Sequence, residues 1–360
     1  MAEPTLQAHQ VVYIITQLEL GGAQKVCLNL KRGVSDARWQ TRLYAGAGGI
    51  LDETVKNEQA IELITTLRRA VGIRSLWQET QTLLFLAKRL RALRKENPRI
   101  IVHTHSTKAG IVGRWAAWLA RIPVRVHTIH GFSFHAHQSK VTWLAMYFTE
   151  LVTSFITTHF VCVSSADQTT AVQLFPGFKK KQSIIRAAVD FTPFEQQRTD
   201  RISGEKKIFI FGTISCFKPQ KNLFDLLRAF AWTYDHNPNI RCEIIGDGPL
   251  RGEITAWIKE HELEQVITLH GWQEQVAPIM MGWDAFVLSS LWEGLPCAII
   301  EARLLKLPII TYDTGGIRDV VSSELNGIIC PQKSVAITRR GDAPDEPRST
   351  ASHTAQQLPG

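Results

Sequence analysis

Residues 292–302 read Trp-Glu-Gly-Leu-Pro-Cys-Ala-Ile-Ile-Glu-Ala. They follow an apolar run at 285–288 that is typical of a buried strand, and Gly294 and Pro296 then predict a tight turn. A helix is expected to begin near Cys297. Its first N–H groups have no partner within the helix, so they suit an anionic ligand such as a phosphate.

Two carboxylates belong to this short unit, Glu293 on the turn and Glu301 about one turn into the helix. Carboxylate oxygens beside an anion site accept hydrogen bonds from sugar hydroxyls, which favours a sugar phosphate as the ligand. The alternative is that Glu293 is a surface turn residue and Glu301 a solvated helix residue. The stretch alone does not decide between these two interpretations.

The composition is that of a soluble globular protein. Its 360 residues are long for one hydrophobic core and predict two domains. Six scattered cysteines without a Cys-x-x-Cys pair indicate reduced thiols, and the first ten residues have no signal pattern, so a cytoplasmic location is expected. The nearest approach to a membrane span, residues 143–163, contains polar residues and predicts a buried helix followed by a short strand.

The net charge of +8 is unevenly distributed along the chain. Residues 61–130 contain 13 Lys or Arg and 3 Asp or Glu, a net charge of +10. Such a segment suits an anionic membrane surface, a phosphorylated substrate or nucleic acid, while a solvated helix face is the alternative. Nucleic acid is the weakest of these options, because no aromatic residues are interleaved with the basic ones.

Short β-rich runs alternate with helical segments in the first half of the chain, which predicts a parallel sheet with helices on both faces. Gly21-Gly22 follows the first strand and predicts either a phosphate-approaching loop or a plain tight turn. It is not a dinucleotide fingerprint, because the third glycine is missing, and it is not a P-loop, because no Gly-Lys-Ser/Thr follows. Strands are predicted at 11–15, 41–46, 100–103, 123–129, 161–163 and 183–185, and helices at 23–31, 76–96, 109–120 and 166–174.

A polar stretch at 195–206 predicts a linker, after which the strand and helix pattern restarts. We therefore expect domains at 1–200 and 201–331 and a disordered tail at 332–360. Two open α/β sheets leave a cleft at the carboxyl ends of their strands, where ligands bind. The second set of strands is predicted at 208–211, 240–245, 266–269, 285–288 and 308–311, with helices at 222–233, 250–260, 275–282, 297–306 and 317–322.

Seven motifs occur in the order found in one enzyme family. They are Leu20-Gly21-Gly22-Ala23, residues 103–110, 127–132 and 212–222, Gly246-Asp247-Gly248-Pro249, the Glu-x7-Glu spacing of 293–301, and Thr314-Gly315-Gly316. Over residues 11–330 the chain thereby resembles group 1 (family 4) glycosyltransferases. The resemblance implies the GT-B architecture, which is α/β with two Rossmann-like doubly wound parallel sheets facing a cleft. It also implies a nucleotide-diphosphate sugar, a UDP-sugar, as donor and transfer with retained anomeric configuration.

The resemblance also implies roles for individual residues. Lys221 matches the family's phosphate-binding lysine, Glu301 would bind the ribose hydroxyls and Glu293 the sugar, and His130 matches the active-site histidine near the anomeric carbon. A lysine at this place stabilises the diphosphate leaving group as the glycosidic bond breaks. The other residues expected to contact the donor are Gly21, Gly22, Lys218, Gly246, Leu295, Pro296 and Cys297.

One position departs from the family pattern. An arginine is usual five residues before Lys221, and Cys216 occupies that place, so we expect Lys218 to supply the second positive charge. The family needs no obligatory metal, in agreement with the lack of an Asp-x-Asp motif. The histidines at 103–137 lack an added Cys or acidic ligand, and we therefore expect no metal site.

The basic first domain favours an acceptor that is anionic or bound to a membrane, such as a polyprenyl-diphosphate-linked glycan in cell-surface polysaccharide synthesis. We expect a peripheral protein at the inner face of the membrane and no nucleic-acid partner. Two alternatives stay open. Because the helical pattern stops near Pro331, the chain could be a truncated fragment that binds nucleotide without turnover. A sugar-nucleotide epimerase of the same fold is the other alternative.

Overall fold

The computed structural model describes residues 8–36, 38–68, 73–135, 138–187, 189–195, 208–323 and 325–332. Almost all of the predicted linker at 195–206 and of the predicted tail at 332–360 lies outside these residues. His137 lies outside them as well.

Seven parallel strands form the first sheet, in the order β3-β2-β1-β4-β5-β6-β7. The interior strand β1 is continuously apolar from Val11 to Ile15, because its side chains point alternately to the two faces and both faces are covered. The strands are β1 (His9–Gln17), β2 (Trp39–Gly46), β3 (Ile61–Ile64), β4 (Ile100–His105), β5 (Val124–Ile129), β6 (His159–Cys162) and β7 (Gln182–Ile184). Sequence analysis predicted these strands except β3, which has four residues and lies at the edge of the sheet.

Helices cover both faces of the first sheet. Val12 and Ile14 of β1 pack in the core under α3 and α4, whereas Val11, Tyr13 and Ile15 pack on the other face together with α1. The helices of this half of the chain are α1 (Gly22–Val34), α2 (Asp52–Val55), α3 (Ile73–Glu96), α4 (Thr107–Leu119), α5 (Lys140–Ile156), α6 (Ser165–Leu174) and α7 (Thr192–Glu195). The two four-residue helices α2 and α7 were not predicted, and Phe194 of α7 packs in the core of the second sheet.

A second parallel sheet has six strands in the order β10-β9-β8-β11-β12-β13. Helices α8 and α9 cover one face, and α10 and α11 cover the other. The strands are β8 (Phe209–Ile214), β9 (Ile240–Ile245), β10 (Ile267–Gly271), β11 (Ala285–Leu288), β12 (Ile309–Tyr312) and β13 (Gly327–Cys330), and the helices are α8 (Leu223–His236), α9 (Arg251–Glu260), α10 (Ala277–Met280) and α11 (Cys297–Leu304).

The structure corrects the predicted helix at 317–322, because only a single 3-10 turn forms there, at Ile317–Asp319. The turn begins after Gly316, which provides no side-chain cap for the first N–H groups. The predicted helix at 275–282 shortens to α10, four residues long, and α11 ends at Leu304 rather than at residue 306.

Helix α5 is not buried as the sequence predicted. One row of its apolar side chains faces outward, with Val141 79%, Phe148 53% and Phe155 68% exposed, while Glu150 and Thr153 are buried. The apolar side chains that pack inward are Trp143, Met146, Tyr147 and Leu151. This orientation follows from the polar contact that α5 makes with the neighbouring helix α4. Among the described residues, no helix is long and apolar enough to cross a membrane.

A buried ion pair determines which face of α5 points inward. The Arg114 guanidinium of α4 is fully buried and donates to Glu150 Oε2 at 3.0 Å and to Thr157 Oγ1 at 3.1 Å. Trp115 Nε1 donates to Thr153 Oγ1 at 3.1 Å in the same interface. An unpaired charge in this position would be costly, so the side of α5 that carries Glu150 and Thr153 has to face α4, and the row that contains Val141, Phe148 and Phe155 is left outside.

We predict that Gly212→Ala destabilises the protein by about 1–3 kcal/mol, because the added methyl group would overlap the buried Trp283 ring that lies over β8. Gly252→Ala on α9 is the control, since no atom lies within 4 Å of its Cβ position. The control is expected to be neutral or to stabilise by up to about 1 kcal/mol. Urea unfolding of the two variants measures the difference, and equal stabilities would contradict the prediction.

Candidate active site

The carboxyl ends of the two sheets meet around a cavity of about 240 Å³. Loops that follow β1 and β5 in the first sheet and β8 and β11 in the second supply its walls, as expected for ligand sites of parallel sheets. The cavity brings together all but one of the predicted site residues: Gly21, Gly22, His130, Lys218, Lys221, Glu293, Leu295, Pro296, Cys297 and Glu301.

Gly246 is the predicted residue that does not line this cavity. Its φ of 129° is accessible mainly to glycine, and a Cβ there would overlap the Ser215 carbonyl. The structure therefore places Gly246 against the backbone of the loop after β8. In that position it shapes the loop that carries Cys216 and Lys218.

The loop at 293–294 rests directly on the first sheet. A Cβ on Gly294 would overlap the His130 carbonyl, and the Gly316 N–H donates to the Gly294 carbonyl at 2.6 Å. Glycine is required because the two backbones are in contact. This contact brings His130 of the first sheet and Glu293 of the second to opposite sides of one cavity.

Lys221 and Glu293 form a close ion pair within the cavity wall. Lys221 belongs to a 3-10 turn after β8, and its carbonyl accepts a hydrogen bond from Ser289 Oγ at 2.9 Å. Gln220 Nε2 donates to the Trp292 carbonyl at 2.7 Å, which ties the same turn to the loop after β11. The ammonium group is thus held in the cavity wall, and Glu293 balances its charge.

Glu301 is buried rather than solvated, with 7% of its side chain exposed. Burial raises the pKa of its carboxyl group, and the Lys25 ammonium, 3.8 Å away, acts in the opposite direction. Sequence analysis did not identify Lys25. The available signal was its position in the first turn of α1, directly after the Gly21-Gly22 loop.

Two helix N-termini converge on the cavity. A Cβ on Gly22, the first residue of α1, would lie 3.0 Å from Cys297 Sγ and 3.9 Å from the backbone N of Cys297, the first residue of α11. Neither helix has an acidic residue in its first turn. The positive ends of both helix dipoles therefore face the same space, which favours an anion there.

His130 follows β5 and is hydrogen-bonded to a second histidine in the interior of the first sheet. Its Nε2 lies 2.9 Å from Nδ1 of His105, the last residue of β4. Burial lowers the pKa of His130 to about 4, so the ring is neutral at pH 7. In the loop after β5, His135 stacks on Trp292 with ring centroids 3.9 Å apart.

The site chemistry of the described residues suits an anionic, hydroxyl-bearing ligand. Lys25, Lys218 and Lys221 supply positive charge, and Glu293 and Glu301 supply hydrogen-bond acceptors. Within the described ranges, no group of three or more His, Cys, Asp or Glu side chains is arranged to hold a metal ion.

Lys25→Ala is expected to raise the pKa of Glu301 further, because the substitution removes the positive charge that opposes the effect of burial. Carboxyl-detected NMR titration of labelled glutamate measures this change. Lys25→Arg keeps the charge and should leave the Glu301 pKa close to its wild-type value. A Glu301 pKa that is the same in wild type and Lys25→Ala would show that the ion pair does not form.

Comparison with known proteins identifies the family. The family model described as Glycosyltransferase Family 4 matches residues 20–192, and the one described as Glycosyl transferases group 1 matches residues 194–339. A UDP-Gal:alpha-D-GlcNAc-diphosphoundecaprenol alpha-1,3-galactosyltransferase of Escherichia coli is 30% identical over 319 residues, which is 86% of this chain and 81% of the relative. The capsular polysaccharide biosynthesis glycosyltransferase CapM of Staphylococcus aureus is 22% identical over 68% of this chain and 66% of its own length.

Solved structures share the architecture. Anabaena Alr3699/HepE in complex with UDP-glucose superposes with a TM-score of 0.70 at 18% identity, covering 90% of this chain and 86% of that one. The lipopolysaccharide outer core galactosyltransferase WaaB gives a TM-score of 0.62 at 18% identity, with 90% and 87% covered. These likenesses confirm the predicted fold of two Rossmann-like parallel sheets. The chain belongs to the group 1 (family 4) glycosyltransferases and has the GT-B fold.

Proposed function

We propose that this glycosyltransferase moves a sugar from a UDP-sugar to a lipid-linked glycan, with retained anomeric configuration, in the synthesis of a cell-surface polysaccharide. The observation that carries the donor assignment is the ion pair of Lys221 with Glu293, held beside the converging N-termini of α1 and α11. A diphosphate fits this place because it meets both a cation and free N–H groups.

Binding of the donor gives Lys221 and Glu293 new partners in this proposal. The diphosphate takes the Lys221 ammonium from Glu293, and the released carboxylate accepts hydrogen bonds from hydroxyls of the transferred sugar. Lys218 and the N–H groups of residues 295–297 add to the positive field. Glu301 accepts from the ribose hydroxyls, and Lys25 opposes the effect of burial on the pKa of its carboxyl group.

Catalysis in this proposal rests on stabilising the leaving group. As the bond between the anomeric carbon and the diphosphate breaks, negative charge grows on the phosphate oxygens beside Lys221 and the helix N-termini. His130 is neutral and contacts the sugar from the first sheet. The two glutamates hold the donor and do not act as a hydrolase-style acid and base pair.

The substrate class is supported by relatives. UDP-Gal and diphosphoundecaprenol occur in the name of the E. coli relative, and UDP-glucose occupies the Anabaena structure. A polyprenyl-diphosphate-linked glycan is therefore our proposed acceptor. We further propose the division into an acceptor-side domain at 1–200, a donor domain at 201–331 and a disordered tail at 332–360, which the separation into two sheets supports.

Lys221→Met is expected to lower kcat for release of UDP from the preferred UDP-sugar by roughly 10²–10³-fold, because the leaving charge loses its cation. Lys259→Met is the control, since Lys259 is an exposed lysine on α9. A coupled UDP-release assay with a polyprenyl-diphosphate-linked acceptor measures both variants.

Thermal shift with UDP separates the alternatives. UDP at about a hundred times its Kd should stabilise the wild type by about 2.7 kcal/mol. Stabilisation without turnover by the wild type would support a truncated, non-catalytic fragment. Turnover to free sugar without any acceptor would support an epimerase. Equal kcat in wild type and Lys221→Met would contradict the role of Lys221.

A membrane surface is the second partner that we propose, and the exposed face of α5 supports it. Val141, Leu144, Phe148, Val152 and Phe155 are 47–79% exposed and lie at helical spacing on one side of α5. Contiguous exposed apolar side chains of this kind mark a surface that binds a partner or a membrane. We therefore assign the proposed docking surface to this face of α5 and not to the basic stretch at 61–130.

Charge around α5 favours an anionic bilayer over a protein partner. Residues 107–182 contain two acidic residues, Glu150 and Asp167, and both are buried. The C-terminal end of α5 is held by Lys181, whose Nζ donates to the Thr157 carbonyl at 3.0 Å. The exposed cations of residues 107–182 are Arg121, Lys140, Lys179 and Lys180. An apolar stripe with cations and no exposed carboxylates fits the headgroup region of an anionic leaflet.

Replacing both Phe148 and Phe155 by Ser is expected to weaken binding to phosphatidylglycerol-containing vesicles roughly a hundredfold or more, because each buried Phe contributes about 1.5–3 kcal/mol. Trp232→Ser on α8 is the control, since Trp232 is 56% exposed in the second half of the chain. Vesicle co-sedimentation measures the binding. Undiminished binding of the double variant, or equal binding of wild type to neutral and anionic vesicles, would contradict this docking surface.

A further inference from the structure

Two imidazole rings join the interior of the first sheet to the cavity. His105 at the end of β4 is fully buried, whereas His130 after β5 is half-buried and lines the cavity. Nδ1 of His105 lies 2.9 Å from Nε2 of His130, which is a hydrogen-bond distance. One proton therefore has to lie between the two rings.

The other nitrogen of the inner ring has no polar partner. His105 Nε2 is buried and makes no hydrogen bond. Rings surround His105: His103 stacks on it with centroids 4.5 Å apart, and Tyr13 is tilted against it at 6.0 Å. The pKa of His105 is lowered well below its usual value, mainly by burial and then by His103, His130 and His127. Both rings of the pair are therefore neutral at pH 7.

A neutral pair can place its protons in two ways. If His130 donates, the His105 proton must sit on Nε2, as a buried N–H without an acceptor. If His105 donates from Nδ1, its Nε2 is an unprotonated lone pair, and no buried N–H is left unpaired. Buried N–H groups without a partner are rarer in proteins than unfilled acceptors, so the second arrangement is favoured.

We infer that His105 is a positioning residue that fixes His130 in the tautomer protonated at Nδ1. With Nε2 accepting from His105, His130 keeps its Nδ1–H for a ligand in the cavity. His130 then acts as a hydrogen-bond donor to an oxygen of the transferred sugar, and it cannot act as a base through Nδ1. This inference rests on the proposed contact of His130 with the sugar.

Long-range ¹⁵N–¹H NMR of histidine-labelled protein tests the tautomer without requiring turnover. We expect the His130 signals of the wild type to be those of a ring protonated at Nδ1. His105→Asn keeps an amide N–H near the position of the former Nδ1 and should preserve this pattern. His105→Asp offers only an acceptor when ionised, so it should shift the His130 proton to Nε2.

His103→Gln is the matched control, because it removes a buried imidazole from the same strand. His103 bonds to Thr128 and not to His130. This variant should leave the His130 tautomer unchanged. A wild-type His130 protonated at Nε2 would overturn the inference, and so would a tautomer that stays the same in a folded His105→Asp variant.

Turnover adds a second readout. We expect His105→Asn to retain kcat within about threefold, and His105→Asp to lower kcat roughly tenfold or more while KM for the donor changes less, because one transition-state hydrogen bond is lost. The expected NMR pattern in a protein that does not turn over would refute the proposed function alone. Normal turnover with the opposite tautomer would refute the role of His105 alone.

Discussion

Direct contact between two backbones determines the geometry of this enzyme. Gly294 of the loop after β11 lies on the carbonyl of His130 of the first sheet, and Gly316 holds the loop from the other side by a hydrogen bond. No side chain fits between these backbones. Because the contact involves main chain on both sides, it brings His130 of the first sheet and Glu293 of the second to one cavity.

Charge compensation is the second theme of the site. Two glutamates of the cavity have a lysine beside them, Lys221 for Glu293 and Lys25 for Glu301. Burial raises the pKa of the Glu301 carboxyl group, and the charge of Lys25 opposes that rise. This second ion pair joins the two sheets, since Lys25 belongs to α1 and Glu301 to α11. Two positive charges of the cavity are thus held by its own carboxylates.

The first sheet combines a buried polar interface with an apolar outer surface. Arg114 must be paired once α4 covers the sheet, so Glu150 turns the polar side of α5 inward. The remaining side of that helix is apolar, and no exposed carboxylate of residues 107–182 lies near it. A constraint in the interior therefore creates the surface that we propose for the membrane, and it lies in the half of the chain that we assign to the acceptor.

The sequence by itself determined most of the strands and helices, the parallel sheets and the family, because apolar periodicity, turn glycines and motif order are local properties of a chain. It also predicted that His130, Lys221, Glu293 and Glu301 belong to one site, and all four line one cavity. Only the tertiary structure decided which groups meet. Lys25 and His105 gain their roles from partners 276 and 25 residues away in the chain, at Glu301 and His130. The outward face of α5 follows from a buried charge on another helix, which helical periodicity does not reveal.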